Sequence, residues 1–144
     1  MFRQLLLLLP LAFSPIALAE WTRVAAGHNS TTYADRATLS SNGKTATMWS
    51  LIDFKKPPFD GNNLSYRSLK MRVEYDCAKR QFRTLDIASF SGNMGSGSNP
   101  YVSDEVTEWE AITDLGIQKP LWQIACTQGP QPSRPAPKPL AHLN

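Results

Sequence analysis

Two cysteines, Cys77 and Cys126, are the only thiols in this 144-residue chain. They lie far downstream of an N-terminus that reads as an export leader. An exported domain matures in an oxidising compartment, where two thiols are most simply one disulfide. Such a bridge closes a loop of about fifty residues and is worth roughly 4 kcal/mol through the entropy it removes from the unfolded chain. Any fold available to the chain must therefore bring position 77 against position 126.

The leader is read from its first nineteen residues. Arg3 supplies the positive end, Leu5 to Leu9 with Leu11 and Phe13 the apolar run, and Ala17-Leu18-Ala19 a small-x-small cleavage site before Glu20. Pro10 and Pro15 break the run, which is too short for a comfortable membrane span. No cysteine stands at the cut for lipid attachment, and no later stretch approaches the length of a span. The expected organisation is a leader over 1–19, one domain over 20–127, and a tail over 128–144. Pro130, Pro132, Pro135, Pro137 and Pro139 fill that tail, and its shortage of large apolar residues predicts disorder. An exported product, periplasmic or extracellular, follows.

The formal net charge of +3 belongs to the ends of the chain. Arg3, Arg134 and Lys138 lie outside the domain, within which twelve bases face twelve acids. A positive field able to gather nucleic acid is absent.

Within the domain the clearest pattern is Leu69, Met71, Val73, Tyr75 and Cys77 alternating with Lys70, Arg72, Glu74 and Asp76. This predicts a strand with one face in the core and one in water. Ala78-Lys79-Arg80 is a short polar connection into a second strand, Gln81 to Phe90, so the two form a hairpin. Thr45 to Phe54 reads as another strand, entered through Ser40-Ser41-Asn42-Gly43, where Asn-Gly signals a tight turn. Trp21 to Ala25 and Thr32 to Leu39 read as shorter strands, and Pro57-Pro58 with Asp60-Gly61-Asn62-Asn63 as a loop. Val106 to Thr113 fits a strand carrying Trp109 or a short helix capped by Thr107 and Glu110, and is taken here as a strand. Pro120, followed by Leu121, Trp122 and Ala125 on one face, predicts a short helix carrying Cys126 and ending before Gly129-Pro130. The fold class is α+β: a small antiparallel sheet of about six strands with a C-terminal helix packed on it and tied by the disulfide.

The order Trp21, Tyr33, Asp35, Trp49, Asp53, Ser68, Glu74-Tyr75-Asp76-Cys77, Arg83, Met94-Gly95, Trp109, and finally Trp122 with Cys126 resembles the surface-adhesin protein E family of Gram-negative bacteria. The resemblance covers essentially all of residues 20–126. It implies a small antiparallel sheet with a C-terminal helix tied on by the cysteine pair. It also implies a non-catalytic binding module for host matrix or envelope proteins, and the founding member is an outer-membrane lipoprotein. This chain lacks the lipid-attachment cysteine and adds the proline-rich tail. An accessory role in the cell envelope is the alternative.

Chemistry is scarce. His28 and His142 are the only histidines, one beside a turn and one in the tail, so neither a metal site nor a histidine-based nucleophile is expected. No cofactor and no enzymatic activity are predicted. The stretch Gly92 to Asn99 imitates a phosphate cradle, but no Gly-Lys-Ser/Thr follows, and it reads as a mobile hairpin loop. Asn29-Ser30-Thr31 fits an N-glycosylation acceptor, of little consequence in a bacterium. Trp21, Trp49, Trp109 and Trp122 read as core fillers. Arg67, Lys70, Arg72, Lys79 and Arg80 fall on the outward face and tip of the central hairpin, partly neutralised by Glu74 and Asp76. The plain reading of these bases is a solvated face. The functional reading makes Lys70, Arg72, Lys79 and Arg80 the contact for a protein or acidic polysaccharide partner.

Overall fold

The computed structural model describes residues 19–58 and 65–127. The leader as far as residue 18, the Asp60 to Asn63 turn, His142 and the whole proline-rich tail lie outside the described residues. Six strands follow one another as an antiparallel meander in the order β1 to β6: β1 (Trp21–Ala26), β2 (Ser30–Ser41), β3 (Thr45–Phe54), β4 (Ser68–Asp76), β5 (Gln81–Phe90) and β6 (Tyr101–Ser103). A two-residue strand, β7 (Glu110–Ala111), also pairs with β5. One helix, α1 (Gln118–Thr127), closes the described chain.

Alternation decides which face is buried. Ala46, Met48 and Ile52 of β3 and Met71, Val73 and Tyr75 of β4 point the same way and meet Leu121 and Ala125 of α1. Val73, Tyr75, Leu121 and Ala125 are inaccessible to solvent. The apolar stripe of one helix thus covers the apolar face of the sheet. Cys77, one residue beyond β4, is bonded to Cys126 of α1 across a Cα separation of 5.5 Å. The disulfide and the C-terminal helix stand where the sequence places them.

The turns follow local polar chemistry. Asn42 accepts from the amides of Lys44 and Thr45 through Oδ1 at 2.9 and 2.8 Å, and Gly43 takes φ 89°, the left-handed conformation that glycine adopts without cost. In the β4–β5 turn Asp76 does the same for Ala78 and Lys79. There it is Arg80 that carries the positive φ, 52°.

Two segments differ from expectation. Val106 to Thr113 runs beside β5 but is no continuous strand, because the Thr107 hydroxyl takes a place in the ladder. The Thr84 amide donates to Thr107 Oγ1 at 2.9 Å while the Thr107 amide donates back to the Thr84 carbonyl, so only Glu110 and Ala111 pair regularly. Pro120 is the third residue of α1 rather than the first. It still lies in the opening turn, whose amides have no acceptor within the helix, and so removes nothing.

Candidate binding surface

The sheet face away from α1 is built by register. Trp21 stands opposite Asp35, Asp35 opposite Trp49, Trp49 opposite Arg72, and Arg72 opposite Asp86. Directly paired residues of an antiparallel sheet share a face, so these five form one row across β1 to β5. A second row holds Tyr33, Leu51, Lys70 and Ala88. The Lys70 ammonium lies over both tryptophan rings, 5.0 Å from the Trp49 centroid and 5.8 Å from that of Trp21. Burial lowers its pKa and the nearby Asp35 carboxylate opposes that shift. Arg72 holds Asp86 at 2.5 Å, and Arg83 holds Glu74 at 2.6 Å while its guanidinium stacks 4.5 Å from the Trp109 ring. Long side chains lying flat over their aromatic neighbours leave Trp49 only 5% exposed and Leu51 inaccessible, with α1 on the other side of the sheet.

The Gly92 to Asn99 segment completes that cover. It connects β5 to β6 as a hairpin loop, but it is pinned rather than mobile. Asp53 Oδ1 accepts from Asn93 Nδ2 at 3.1 Å and from the Met94 amide at 2.7 Å. The buried Ser68 hydroxyl donates to the Gly92 carbonyl at 2.7 Å and accepts from the Gly95 amide at 2.9 Å. A left-handed pair, Met94 at φ 54° and Gly95 at φ 73°, turns the backbone so that Gly95 rests against Leu51. The loop is a structural clasp, and its glycines serve the turn rather than an anion.

One end of the sheet gathers free charge. Lys79 and Arg80 of the β4–β5 turn are exposed. Arg80 reaches Asp114 at 3.3 Å and lies over the Trp122 ring at 5.3 Å. Lys119 at the start of α1 reaches the same Asp114 oxygen at 3.0 Å, and these two cations hold the Asp114 carboxyl below its ordinary range. The Lys44 carbonyl accepts from the Cys77 amide, which brings the exposed Lys44 to the same end. Leu115 projects there with its side chain wholly in solvent, next to Ile117 at 40% exposure.

The four cations singled out in the sequence therefore separate. Lys79 and Arg80 share the tip. Lys70 and Arg72 lie on the outer face as alternation predicts, but half-buried and engaged with Trp49, Trp21 and Asp86 rather than solvated. Six residues of strand part Lys70 from Asp76, about 20 Å. Arg67, also exposed, is at the opposite end of β4. Sequence reasoning missed Lys44 and Lys119, which no local pattern links to residue 79; only the fold brings the two turns and the helix start together. Of the four tryptophans, Trp49 alone is buried, while Trp21, Trp109 and Trp122 are half-buried, each beneath a cation. His28 is exposed, and no group of three or more metal-ligating side chains occurs among the described residues.

Comparison with known proteins gives one consistent result. No curated protein matches the sequence. Among solved structures the chain is similar to Haemophilus influenzae protein E, at 15% identity over 74% of this chain and 83% of that one, with a TM-score of 0.54. A second crystal form of that protein matches at 15% identity over 83% and 97%, TM-score 0.56. Protein E from non-typeable Haemophilus influenzae matches at 14% identity over 83% of each chain, also at 0.56. At such identity these structures establish the shared fold. The family model described as surface-adhesin protein E matches residues 21–127, the whole described domain from β1 to the end of α1, and the chain belongs to that family.

Proposed function

We propose that this protein is an exported, non-catalytic binding module that meets an acidic protein or polysaccharide with the tip of its sheet. The observation that carries this reading is that Arg80 and Lys119 share the carboxylate of Asp114 while Lys79, beside Arg80, and Lys44, whose carbonyl accepts from the Cys77 amide, stand at the same end of the sheet. Asp76, also at that end, is occupied with the amides of its own turn. Two cations thus remain without an ion pair among the described residues, Lys44 and Lys79, on turns that a partner reaches without unfolding anything. The projecting Leu115 and Ile117 add apolar area beside the charge, the combination that gives an interface both attraction and dehydration.

Export is supported by the leader read over residues 1–19, by the disulfide, and by membership of a surface-adhesin family. No helix among the described residues is long and apolar enough to cross a membrane.

The test is binding of the purified chain to heparin and to polyglutamate across a salt series. Affinity should fall steeply with ionic strength, as exposed charges are screened beyond about 10 Å at 0.1 M. The double change Lys44→Ser with Lys79→Ser should weaken it severalfold. Binding indifferent to both salt and this pair, or no binding at low salt, sinks the proposal.

A further inference from the structure

Along the flank of α1 lies a feature that the proposed function does not use. Among the described residues β1 is the free edge of the sheet, paired only with β2. Between that edge and the flank of α1 runs an open groove of about 370 Å3. Pro120, Gln123, Ile124 and Thr127 form its helical wall, spaced so that they share one side of the helix, while Leu121 and Ala125 turn into the core. Arg23, Val24 and Arg36 form the strand wall. Both arginines are exposed, neither has an ion pair among the described residues, and no acid lines the groove. Asp35, next to Arg36, faces the opposite side of the sheet in the row with Trp21 and Trp49.

We infer that this edge binds a short, extended acidic peptide, added to the sheet as a further strand beside β1, with carboxylates on Arg23, which pairs with Tyr33 and so belongs to the sheet face away from α1, and on Arg36 at the wall of the groove. Three observations converge on that occupant. An edge strand presents unpaired backbone amides and carbonyls, which only another extended chain satisfies in register. Alternate side chains of such a strand turn towards the helix wall, where Val24 and Ile124 offer apolar contact. The two arginines then set the sign of charge required, and their planar guanidiniums suit carboxylates. A register shift between Arg23 and Ala25 marks a bulge in β1, which limits pairing to a few residues and guards the edge against open-ended stacking of sheets.

The inference is independent of the tip, and the experiment separates the two. The probe is a synthetic eight-residue peptide alternating valine and glutamate, titrated against the full chain by fluorescence anisotropy. Three controls accompany it: the valine–lysine counterpart, a backbone N-methylated version, and the Lys44→Ser, Lys79→Ser variant. The valine–glutamate peptide should bind; the lysine and N-methylated peptides should not. Arg23→Ser with Arg36→Ser should weaken binding at least tenfold, and the tip variant should bind as the parent does. Ala26→Pro supplies a second reading: the Gly27 amide donates inward to the Ser30 carbonyl, so the Ala26 amide points outward, and its loss should weaken the peptide while the circular dichroism spectrum is unchanged. Equal binding of the N-methylated peptide means that an anion, not a strand, occupies the groove and overturns the inference. So do insensitivity to the two arginines and failure of the peptide to bind at millimolar concentration.

Discussion

The Tyr75 hydroxyl, near the C-terminal end of the buried face of β4, donates to Gln118 Oε1 at the start of α1 at 2.9 Å. Both residues are buried, Tyr75 completely and Gln118 to 8% exposure. This bond and the Cys77–Cys126 disulfide fasten the helix to the sheet near both of its ends.

Tyr75→Phe should therefore cost about 1–3 kcal/mol, because the Gln118 amide stays buried with its acceptor unmet. Urea unfolding of the purified chain measures this directly. The same residue sets an alkaline limit. Burial raises the Tyr75 pKa far above its ordinary 10.0, so the unfolded chain releases the phenolic proton while the folded chain keeps it. The stability contributed is complete below pH 10.0 and is lost as pH rises above that value. A Tyr75→Phe variant should lose stability less steeply in that range, and parallel curves for the two proteins exclude the assignment.

Reduction of the disulfide tests the second fastening. The bond spans 49 residues of sequence, and its loss should cost about 2–5 kcal/mol. Melting of Cys77→Ser beside the parent measures it, and mass analysis of the parent without reductant should find no free thiol. Two free thiols in protein taken from an oxidising compartment contradict the structure.

Most strands were legible: β4 follows the alternation of Leu69 to Cys77, and β3 and β5 begin and end where Thr45 to Phe54 and Gln81 to Phe90 predict. So was the helix, through Leu121, Trp122 and Ala125, and so was the cysteine pair. What escaped depends on partners distant in sequence. Trp49 reads as a core residue from its type, yet it is buried on the face away from α1, under a lysine 21 positions later whose parity alone gives no distance. The Gly92 to Asn99 loop reads as mobile from composition, because Asp53 and Ser68, which hold it, lie far upstream. Thr107 breaks an edge strand with one hydroxyl, a contact that no periodicity records.

Ser68→Ala tests the clasp. The change strands the Gly95 amide and the Gly92 carbonyl, both met by the Ser68 hydroxyl, at a cost of about 1–3 kcal/mol. Hydrogen exchange should quicken at Met94 and Gly95 more than in β3 or β4. Uniform acceleration across the sheet, or none in the loop, refutes a local clasp.

The proline-rich tail is expected to be dispensable, since the sheet, the helix and the disulfide all lie within residues 21–127. Truncation after residue 128 should move the melting temperature by no more than a degree or two. A drop of many degrees means that the tail packs against the domain.

The cations of the central hairpin divide into two kinds, and one pair of variants separates them. Arg72 is two-thirds buried and neutralises Asp86, whose side chain is only 9% exposed. Removing the guanidinium leaves a carboxylate held away from water without its partner, so Arg72→Ser should destabilise by about 1–3 kcal/mol. Lys70→Ser should also destabilise, by uncovering Trp49 and Trp21, and a shift of the tryptophan emission should report that change. Lys44 and Lys79 have no such neighbours, and exposed charges contribute little to folding. Lys44→Ser with Lys79→Ser should leave the urea midpoint unmoved while weakening heparin binding and flattening its salt dependence, since fewer charges remain to be screened. The reverse pattern, with Lys70 and Arg72 governing affinity and the tip pair governing stability, moves the contact from the end of the sheet to its outer face.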